Sequence, residues 1–100
     1  MFLDGKLVKS CLTPVQKVDG AKVETVDDLD RDEGMTALQR AFHKCGASQC
    51  GYCIPGMVMA ATSTLRRNPQ AGAEEIKEGL GGNICRCTGY HNIVKSVALA

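Results

Sequence analysis

Two pairs of closely spaced cysteines constrain this chain more than any other feature of its sequence. Cys50 and Cys53 stand in the stretch QCGYCIPGM, and Cys85 and Cys87 stand later in NICRCTGY. A segment with a helical pattern follows each pair, so each pair lies on a loop that leads into a helix N-terminus. Such an end carries unpaired N–H groups and a partial positive charge, which favour thiolates. The two loops together predict one four-thiolate site.

The composition favours a reducing compartment. The chain has 100 residues and six cysteines, no charged-then-apolar leader, and no apolar run near the roughly 20 residues that span a bilayer. In a reducing compartment, close cysteine pairs are metal ligands or redox groups more often than disulfides. We therefore expect a cytoplasmic protein that does not bind membranes. The net charge of +1, with interspersed signs, gives no reason to expect nucleic acid as a partner.

Residues 1–18 carry a hairpin signal, because Asp4-Gly5 stands between two short apolar segments. A lone hairpin of this size is marginal in water, so we expect the remnant of a larger sheet. The acidic run DDLDRDE dominates the next segment. Residues 19–34 are accordingly predicted to be a solvated linker.

From Met35 onward the apolar residues recur with a helical period, and residues 35–100 are predicted to form a four-helix domain. Glycine suits the end of a helix and proline suits its first turn. The expected boundaries are a start at Met35 with a stop at Gly46, a start at Pro55 with a stop at Asn68-Pro69, a span of about Glu74 to Leu80, and a start near Tyr90.

The four thiolates do not by themselves choose between a structural zinc and a 2Fe-2S cluster, since both accept four sulfurs in tetrahedral geometry about each metal. The tight Cys85-x-Cys87 spacing favours iron mildly, because zinc ribbons use Cys-x-x-Cys more often. The residues therefore leave two functions open. One is an electron-transfer domain with a 2Fe-2S cluster, and the other is a small zinc-stabilised protein-interaction module. An iron–sulfur protein would be brown and a zinc protein colourless.

The segment from Cys45 to Tyr90, with its phrases CGYCIPGM and GNICRCTGY, resembles the second cluster-binding domain of the 2Fe-2S small subunit of molybdenum hydroxylases, the xanthine dehydrogenase and aldehyde oxidoreductase family. The stretch LDGKLVKSCLTP is similar to the end of that family's plant-ferredoxin-like first domain. The resemblance implies a mainly α fold. It consists of a four-helix 2Fe-2S-binding domain preceded by a remnant β-hairpin of a ferredoxin-like β-grasp domain.

The resemblance also implies a role in electron transfer within an oxidoreductase. Cys50, Cys53, Cys85 and Cys87 would hold one 2Fe-2S cluster, which takes electrons from a molybdopterin cofactor on a larger partner chain and passes them toward a second cluster and a flavin-binding subunit. Gln49 and Cys87 would contact the pterin. The alternative for Gln49 is an ordinary polar loop residue. No catalytic residue is expected on this chain, which has no nucleophile beside a base and no Gly-rich nucleotide loop.

Two positions depart from the family pattern. The family's first domain uses three further cysteines in a Cys-x4-Cys-x2-Cys run, and no such run stands in this sequence. Cys11 would be the fourth ligand of that first cluster. We therefore expect a truncated or incomplete subunit in which Cys11 is a free thiol, with a second cluster only in a full-length parent. Ile54 stands where the family usually has threonine, which changes local hydrogen bonding but removes no ligand.

Two residues near the cysteine pairs have simpler explanations. Cys45 shares a helical face with Leu38 and Phe42, so we expect a small core residue rather than a ligand. Arg86 stands between two expected ligands, where a cation would favour the reduced cluster and raise its potential. The alternative for Arg86 is an ordinary surface arginine.

Overall fold

Four α-helices are the main elements of the described chain, as the hydrophobic pattern predicts. The computed structural model describes residues 1–29 and 36–100. The helices, in chain order, are α1 Ala37–Lys44, α2 Ile54–Arg67, α3 Ala73–Leu80 and α4 His91–Leu99. The predicted helix start at Met35 lies outside the described residues. The mainly α fold class is confirmed, and among the described helices none is long and apolar enough to cross a bilayer.

Local signals in the sequence account for the helix ends. Thr36 and Gln39 form a capping box at the start of α1, where the Gln39 N–H donates to Thr36 Oγ1 at 3.2 Å and the Thr36 N–H donates to Gln39 Oε1 at 2.7 Å. Gly46 follows α1 with a φ of +63°, a left-handed conformation that glycine adopts without strain. Pro55 lies in the first turn of α2, and Asn68 caps that helix at its C-terminal end.

A small antiparallel sheet precedes the helices. Its strands are β1 Phe2–Leu3, β2 Lys6–Leu7 and β3 Val23–Glu24, in the order β2-β1-β3. Asp4 and Gly5 have φ values of 51° and 83° in the turn between β1 and β2, so the predicted hairpin is confirmed. The segment that we expected to be a linker contributes β3, and a short 3₁₀ turn at Val26–Asp28 follows it.

The sheet is docked on the C-terminal half of α2. Phe2 is 1% exposed, and the Arg66 guanidinium lies over its ring at 4.8 Å from the centroid. Arg66 Nη2 also lies 3.8 Å from Glu24 Oε2 on β3. One side chain at the end of α2 thus contacts two strands of the sheet.

Helix α2 is central to the packing. It contacts α3, β2 and the Val26–Asp28 turn, while α4 packs against α1 and α3. Gly79 on α3 approaches α2 so closely that a Cβ at this position would overlap the Thr64 hydroxyl. The shared core of these elements consists of Leu38, Phe42, Ala47, Met57, Val58, Ala60, Ala61, Ile76, Leu80, Cys85, Ile93 and Val97. The N-termini of α2 and α4, which follow the two cysteine pairs, are therefore held by one core.

Candidate metal centre

The two cysteine pairs meet in the structure. We call residues 49–53 the first cysteine loop and residues 83–90 the second cysteine loop. The Cys50 side chain is hydrogen-bonded to that of Cys87, and the Cys53 side chain is hydrogen-bonded to that of Cys85. All four are free thiols. The structure therefore brings together the four cysteines that the spacing singles out, and each sulfur pairs with one from the other loop.

Backbone geometry shapes the first cysteine loop. Gly51 has a φ of +85°, and its carbonyl accepts from the Ile54 N–H at 3.3 Å. Cys53 is the N-cap of α2, and its carbonyl accepts from the Met57 N–H at 3.0 Å. Cys50 is exposed and Cys53 is half-buried. The turn thus presents one sulfur at the surface and one at the edge of the core.

Side chains shape the second cysteine loop. The Cys85 N–H donates to Tyr90 Oη at 2.9 Å, and the Tyr90 N–H donates to Thr88 Oγ1 at 3.1 Å. Thr88 Oγ1 also lies 3.0 Å from Cys85 Sγ. These three contacts form a closed set, which we call the Thr88–Tyr90 clasp. Cys85 is 7% exposed, so the clasp surrounds a sulfur at the margin of the core.

Two of the four sulfurs ionise more readily than an ordinary thiol. The backbone N–H of Tyr52 donates to Cys50 and lowers its pKa, with a further contribution from the Cys87 thiol. The Thr88 hydroxyl lowers the pKa of Cys85 to about 7, and the Thr88 backbone N–H adds to this effect. Hydrogen bonds to a thiolate favour that charged form. One thiolate-forming sulfur therefore stands on each loop.

The other two sulfurs hold their protons more tightly. Burial raises the pKa of Cys53 to about 11, and its hydrogen bond to Cys85 adds to this effect. The hydrogen bond from Cys87 to Cys50 raises the pKa of Cys87. At Cys53, burial therefore opposes the thiolate form that a helix N-terminus favours. Each cross-loop pair joins a sulfur that ionises readily to one that donates a hydrogen bond.

This donor set fits a 2Fe-2S cluster, which is held by four cysteine thiolates. Two sulfurs already receive N–H or O–H hydrogen bonds of the kind that stabilise bound thiolates. Within residues 1–29 and 36–100, no group of three or more His, Cys, Asp or Glu is arranged to hold a single metal ion. The four sulfurs form two cross-loop pairs that also interact with each other, since Cys85 acts electrostatically on both Cys50 and Cys87.

Of the other residues singled out in the sequence, Gln49 and Arg86 lie in the two cysteine loops, and Cys45 and Cys11 lie elsewhere. Gln49 is exposed and directly precedes Cys50. Arg86 is exposed in the second cysteine loop. Cys45 is half-buried directly after α1, and Cys11 is exposed in a 3₁₀ turn at Ser10–Leu12. Neither Cys45 nor Cys11 is among the hydrogen-bonded partners of the four sulfurs.

Two residues of the site lie beyond what the cysteine spacing predicts. Nothing in that spacing points to Thr88, and the helical period identifies Tyr90 only as the approximate start of the fourth helix. A signal for Thr88 is present nonetheless, because a threonine three residues after Cys85 can reach back to it, as hydroxyls do in local turns. No comparable signal points to the hydrogen bond between Tyr90 Oη and the Cys85 N–H.

Comparisons with known proteins identify the kind of domain. Residues 25–98 match the model of a protein family described as a 2Fe-2S binding domain. The chain is 46% identical over 97 residues to the nicotine 6-hydroxylase small subunit of Paenarthrobacter nicotinovorans, covering 97% of this chain and 58% of that protein. It is 38% identical over 99 residues to the xanthine dehydrogenase iron-sulfur-binding subunit of Escherichia coli O157:H7, covering 97% of this chain and 62% of that protein.

A solved structure agrees with these relatives. Quinoline 2-oxidoreductase from Pseudomonas putida 86 superimposes with a TM-score of 0.91 at 41% identity, covering 96% of this chain and 59% of that one. The chain thus spans less than two thirds of the length of the relatives that it matches. In each of the three, the match includes the segment that carries the two cysteine pairs.

Proposed function

The chain belongs to the 2Fe-2S binding domain family, in the form found in molybdenum hydroxylases, and from that premise we propose that it carries single electrons away from a molybdenum centre. Cys50, Cys53, Cys85 and Cys87 would be the four ligands of its cluster. The family match favours the 2Fe-2S domain over the zinc-stabilised interaction module that the residues alone leave open. The chain itself would contribute no catalytic residue.

The cross-loop pairing of the four sulfurs is the observation that carries this proposal. Both loops end at helices held by one core, so the folded chain keeps the sulfurs together without a disulfide. When bound, a 2Fe-2S cluster supplies one-electron chemistry. The protein supplies ligands, N–H and O–H donors to the sulfurs, and partial burial at Cys53 and Cys85.

The surface around the site supports a docked partner. Tyr52 is 94% exposed between Cys50 and Cys53, and Ile84 is 85% exposed directly before Cys85. A partner that docks over the two cysteine loops would bury these apolar side chains, which is favourable. Exposed thiolates are also the form that oxidises, so a partner that covers the loops protects them.

We propose that this partner is the larger, molybdopterin-binding chain of the complex. Gln49 and Cys87, both exposed, would lie at the interface and contact the pterin. A flavin-binding subunit would receive the electrons further along. A reducing compartment suits four thiols that must stay free before a cluster is assembled, so we propose a cytoplasmic location.

The proposed domain division keeps residues 1–18 as the end of a ferredoxin-like domain, residues 19–34 as a linker and residues 35–100 as the cluster-binding domain. Strand β3 extends the small sheet into the proposed linker, and the family match begins at residue 25. Cys11 would bind a second cluster only in a longer parent chain that supplies three more cysteines.

Anaerobic reconstitution with iron and sulfide tests the proposal. We expect a brown protein with about two iron and two acid-labile sulfide per chain and a paramagnetic signal after reduction. A colourless protein that takes up one zinc per chain would contradict the cluster. A content of about four iron would contradict the proposal that Cys11 remains a free thiol.

Gln49→Ala tests the proposed contact with the pterin. In the assembled complex this variant should slow reduction of the cluster by substrate and leave the cluster's absorption spectrum intact. Cys87→Ser should change the spectrum itself, because it removes a ligand. An unchanged reduction rate in Gln49→Ala would remove Gln49 from the electron path.

A further inference from the structure

The Thr88 hydroxyl can act in only one direction once Cys85 binds a metal. Thr88 Oγ1 accepts from the Tyr90 N–H at 3.1 Å and lies 3.0 Å from Cys85 Sγ. In the free thiol either Oγ1 or Sγ could donate. A metal-bound thiolate has no proton, so the contact survives only if the single O–H of Thr88 donates to the sulfur. The Tyr90 N–H uses one acceptor lone pair of this hydroxyl and leaves its O–H free to donate to Cys85 Sγ.

The surroundings of this contact make it stronger than a surface hydrogen bond. Cys85 is 7% exposed and belongs to the core cluster, so water competes poorly for its sulfur. Hydrogen bonds to charged groups are stronger where the local dielectric is low. The backbone N–H groups of Thr88 and Cys87 also donate to this sulfur. Cys85 therefore receives both backbone donors and a side-chain donor.

The Thr88–Tyr90 clasp holds the hydroxyl in place. Tyr90 has a φ of +71°, a left-handed conformation that is uncommon for a bulky side chain, costs free energy and persists only where the surroundings fix it. Its two ends are fixed, since its N–H binds Thr88 and its Oη accepts from the Cys85 N–H at 2.9 Å. The Tyr90 carbonyl accepts from the Val94 N–H at 3.0 Å, and this hydrogen bond joins Tyr90 to the first turn of α4.

We propose that Thr88 is a positioning residue that sets the reduction potential of the cluster through its hydrogen bond to Cys85 Sγ. This inference rests on the proposed function, in which Cys85 is a ligand. Reduction adds one electron to the cluster and moves no proton, so a donor at the sulfur stabilises the more negative, reduced state and raises the potential. Tyr90 serves the same bond indirectly by fixing the loop.

Thr88→Val, which keeps the shape and removes the hydroxyl, tests this role in the reconstituted chain. We expect its equilibrium constant for reduction to fall roughly tenfold, which is about 59 mV for a one-electron couple. Thr88→Ser keeps a hydroxyl and should restore the wild-type potential. Thr62→Val is the matched control, because the Thr62 hydroxyl donates to the Val58 carbonyl at 2.7 Å, within α2. That variant should leave the potential unchanged.

Tyr90→Phe distinguishes the effect of the Thr88 hydroxyl from that of the loop conformation. This variant loses the acceptor for the Cys85 N–H but keeps the Thr88 donor, so its potential should change less than that of Thr88→Val. Equal shifts in Tyr90→Phe and Thr88→Val would mean that loop geometry sets the potential, and would overturn the inference. So would a Thr88→Ser variant whose potential matches that of Thr88→Val.

A measurement on the wild-type chain keeps the inference testable if Thr88→Val fails to bind a cluster. After exchange into D₂O, the reduced cluster should show exchangeable deuterons from the backbone N–H groups of Thr88 and Cys87 and one further deuteron from the Thr88 hydroxyl. If the backbone deuterons are seen without the hydroxyl deuteron, the inference alone is overturned. A wild-type chain that assembles no cluster at all would overturn the proposed function, and this inference with it.

Discussion

The two cysteine loops reach the same site by different means. In the first cysteine loop the backbone sets the geometry, because Gly51 has a positive φ and Cys53 begins helix α2. In the second cysteine loop the side chains of Thr88 and Tyr90 close back on Cys85. Each loop ends in a helix, yet among the described contacts only the second uses hydroxyl groups near its sulfur.

This difference has electrostatic consequences for the two buried or half-buried sulfurs. Cys53 and Cys85 are hydrogen-bonded to each other. Burial raises the pKa of Cys53 to about 11, whereas hydrogen bonding from Thr88 lowers the pKa of Cys85 to about 7. Donors placed by the loop, rather than the helix end alone, therefore decide which sulfur ionises first.

The largest effect should come from removing one ligand from either loop. Cys53→Ser and Cys85→Ser should each remove most of the 2Fe-2S absorption, because a serine hydroxyl is a poorer iron ligand than a thiolate at neutral pH. Visible absorption and iron content after reconstitution check this. Cys45→Ser, at a half-buried position outside the site, should bind a normal cluster. A normal cluster in either ligand variant would mean that the replaced cysteine is not a required ligand.

The next largest effect concerns the scaffold that fixes the distance between the loops. Helix α2 follows the first cysteine loop and α3 precedes the second, and Gly79 brings these helices together at Thr64. In Gly79→Ala the new Cβ would overlap the Thr64 hydroxyl. Overpacking costs about 1–3 kcal/mol, and a better helix former returns only part of that, so we expect a net loss of about 2 kcal/mol.

Thermal unfolding measures this loss, which corresponds to a fall of roughly 4–8 °C per kcal/mol in a domain of this size. Gly82→Ala is the control, since a Cβ at Gly82 meets nothing within 4 Å. We expect it to change the stability by no more than about 0.5 kcal/mol. Equal effects of Gly79→Ala and Gly82→Ala on stability would contradict the close approach of α3 to α2 at Gly79.

Features that depend on local residues could be predicted from the sequence. The hairpin turn at Asp4-Gly5, the end of α1 near Gly46 and the start of α2 near Pro55 all follow from turn and capping chemistry. Strand β3 could not, because a strand of two residues forms only when β1 lies beside it. The same applies to Arg66, whose contact with Phe2 joins residues far apart in the chain.

The candidate site divides in the same way. The cysteine spacing predicts which four sulfurs meet, since each pair precedes a helix. It does not predict that Cys53 pairs with Cys85 or that burial raises the pKa of Cys53. Burial is a property of the assembled core, and no pattern within one loop reports it. The exposure of Tyr52 and Ile84 depends on the assembled surface in the same way.

Replacing the glycine with a positive φ in either cysteine loop should cause a smaller loss of stability, of the same size in both loops. Gly51 and Gly89 have φ values of 85° and 66°, and no atom lies closer than 3.5 Å to a Cβ built on either. Gly51→Ala and Gly89→Ala should therefore each cost about 1 kcal/mol through backbone conformation alone. Gly→Asn at the same positions should cost less, because asparagine adopts left-handed conformations more readily. A much larger loss in one loop, measured by denaturant unfolding, would mean that its glycine has a further role.

The smallest effect should reveal how the two loops are coupled. A Cβ at Gly56, in the first turns of α2, would lie 2.6 Å from Asn83 Oδ1 in the second cysteine loop. The Asn83 side chain can rotate away, so Gly56→Ala alone should change the stability little, with the gain in helix propensity offsetting the crowding. The coupling appears only in a double-mutant cycle with Asn83→Ala, where removing the amide relieves the contact. Gly56→Ala should then be more favourable by about 0.5 kcal/mol than in the wild-type background. Additive effects would mean that Asn83 does not couple the second cysteine loop to α2, the helix that follows the first cysteine loop.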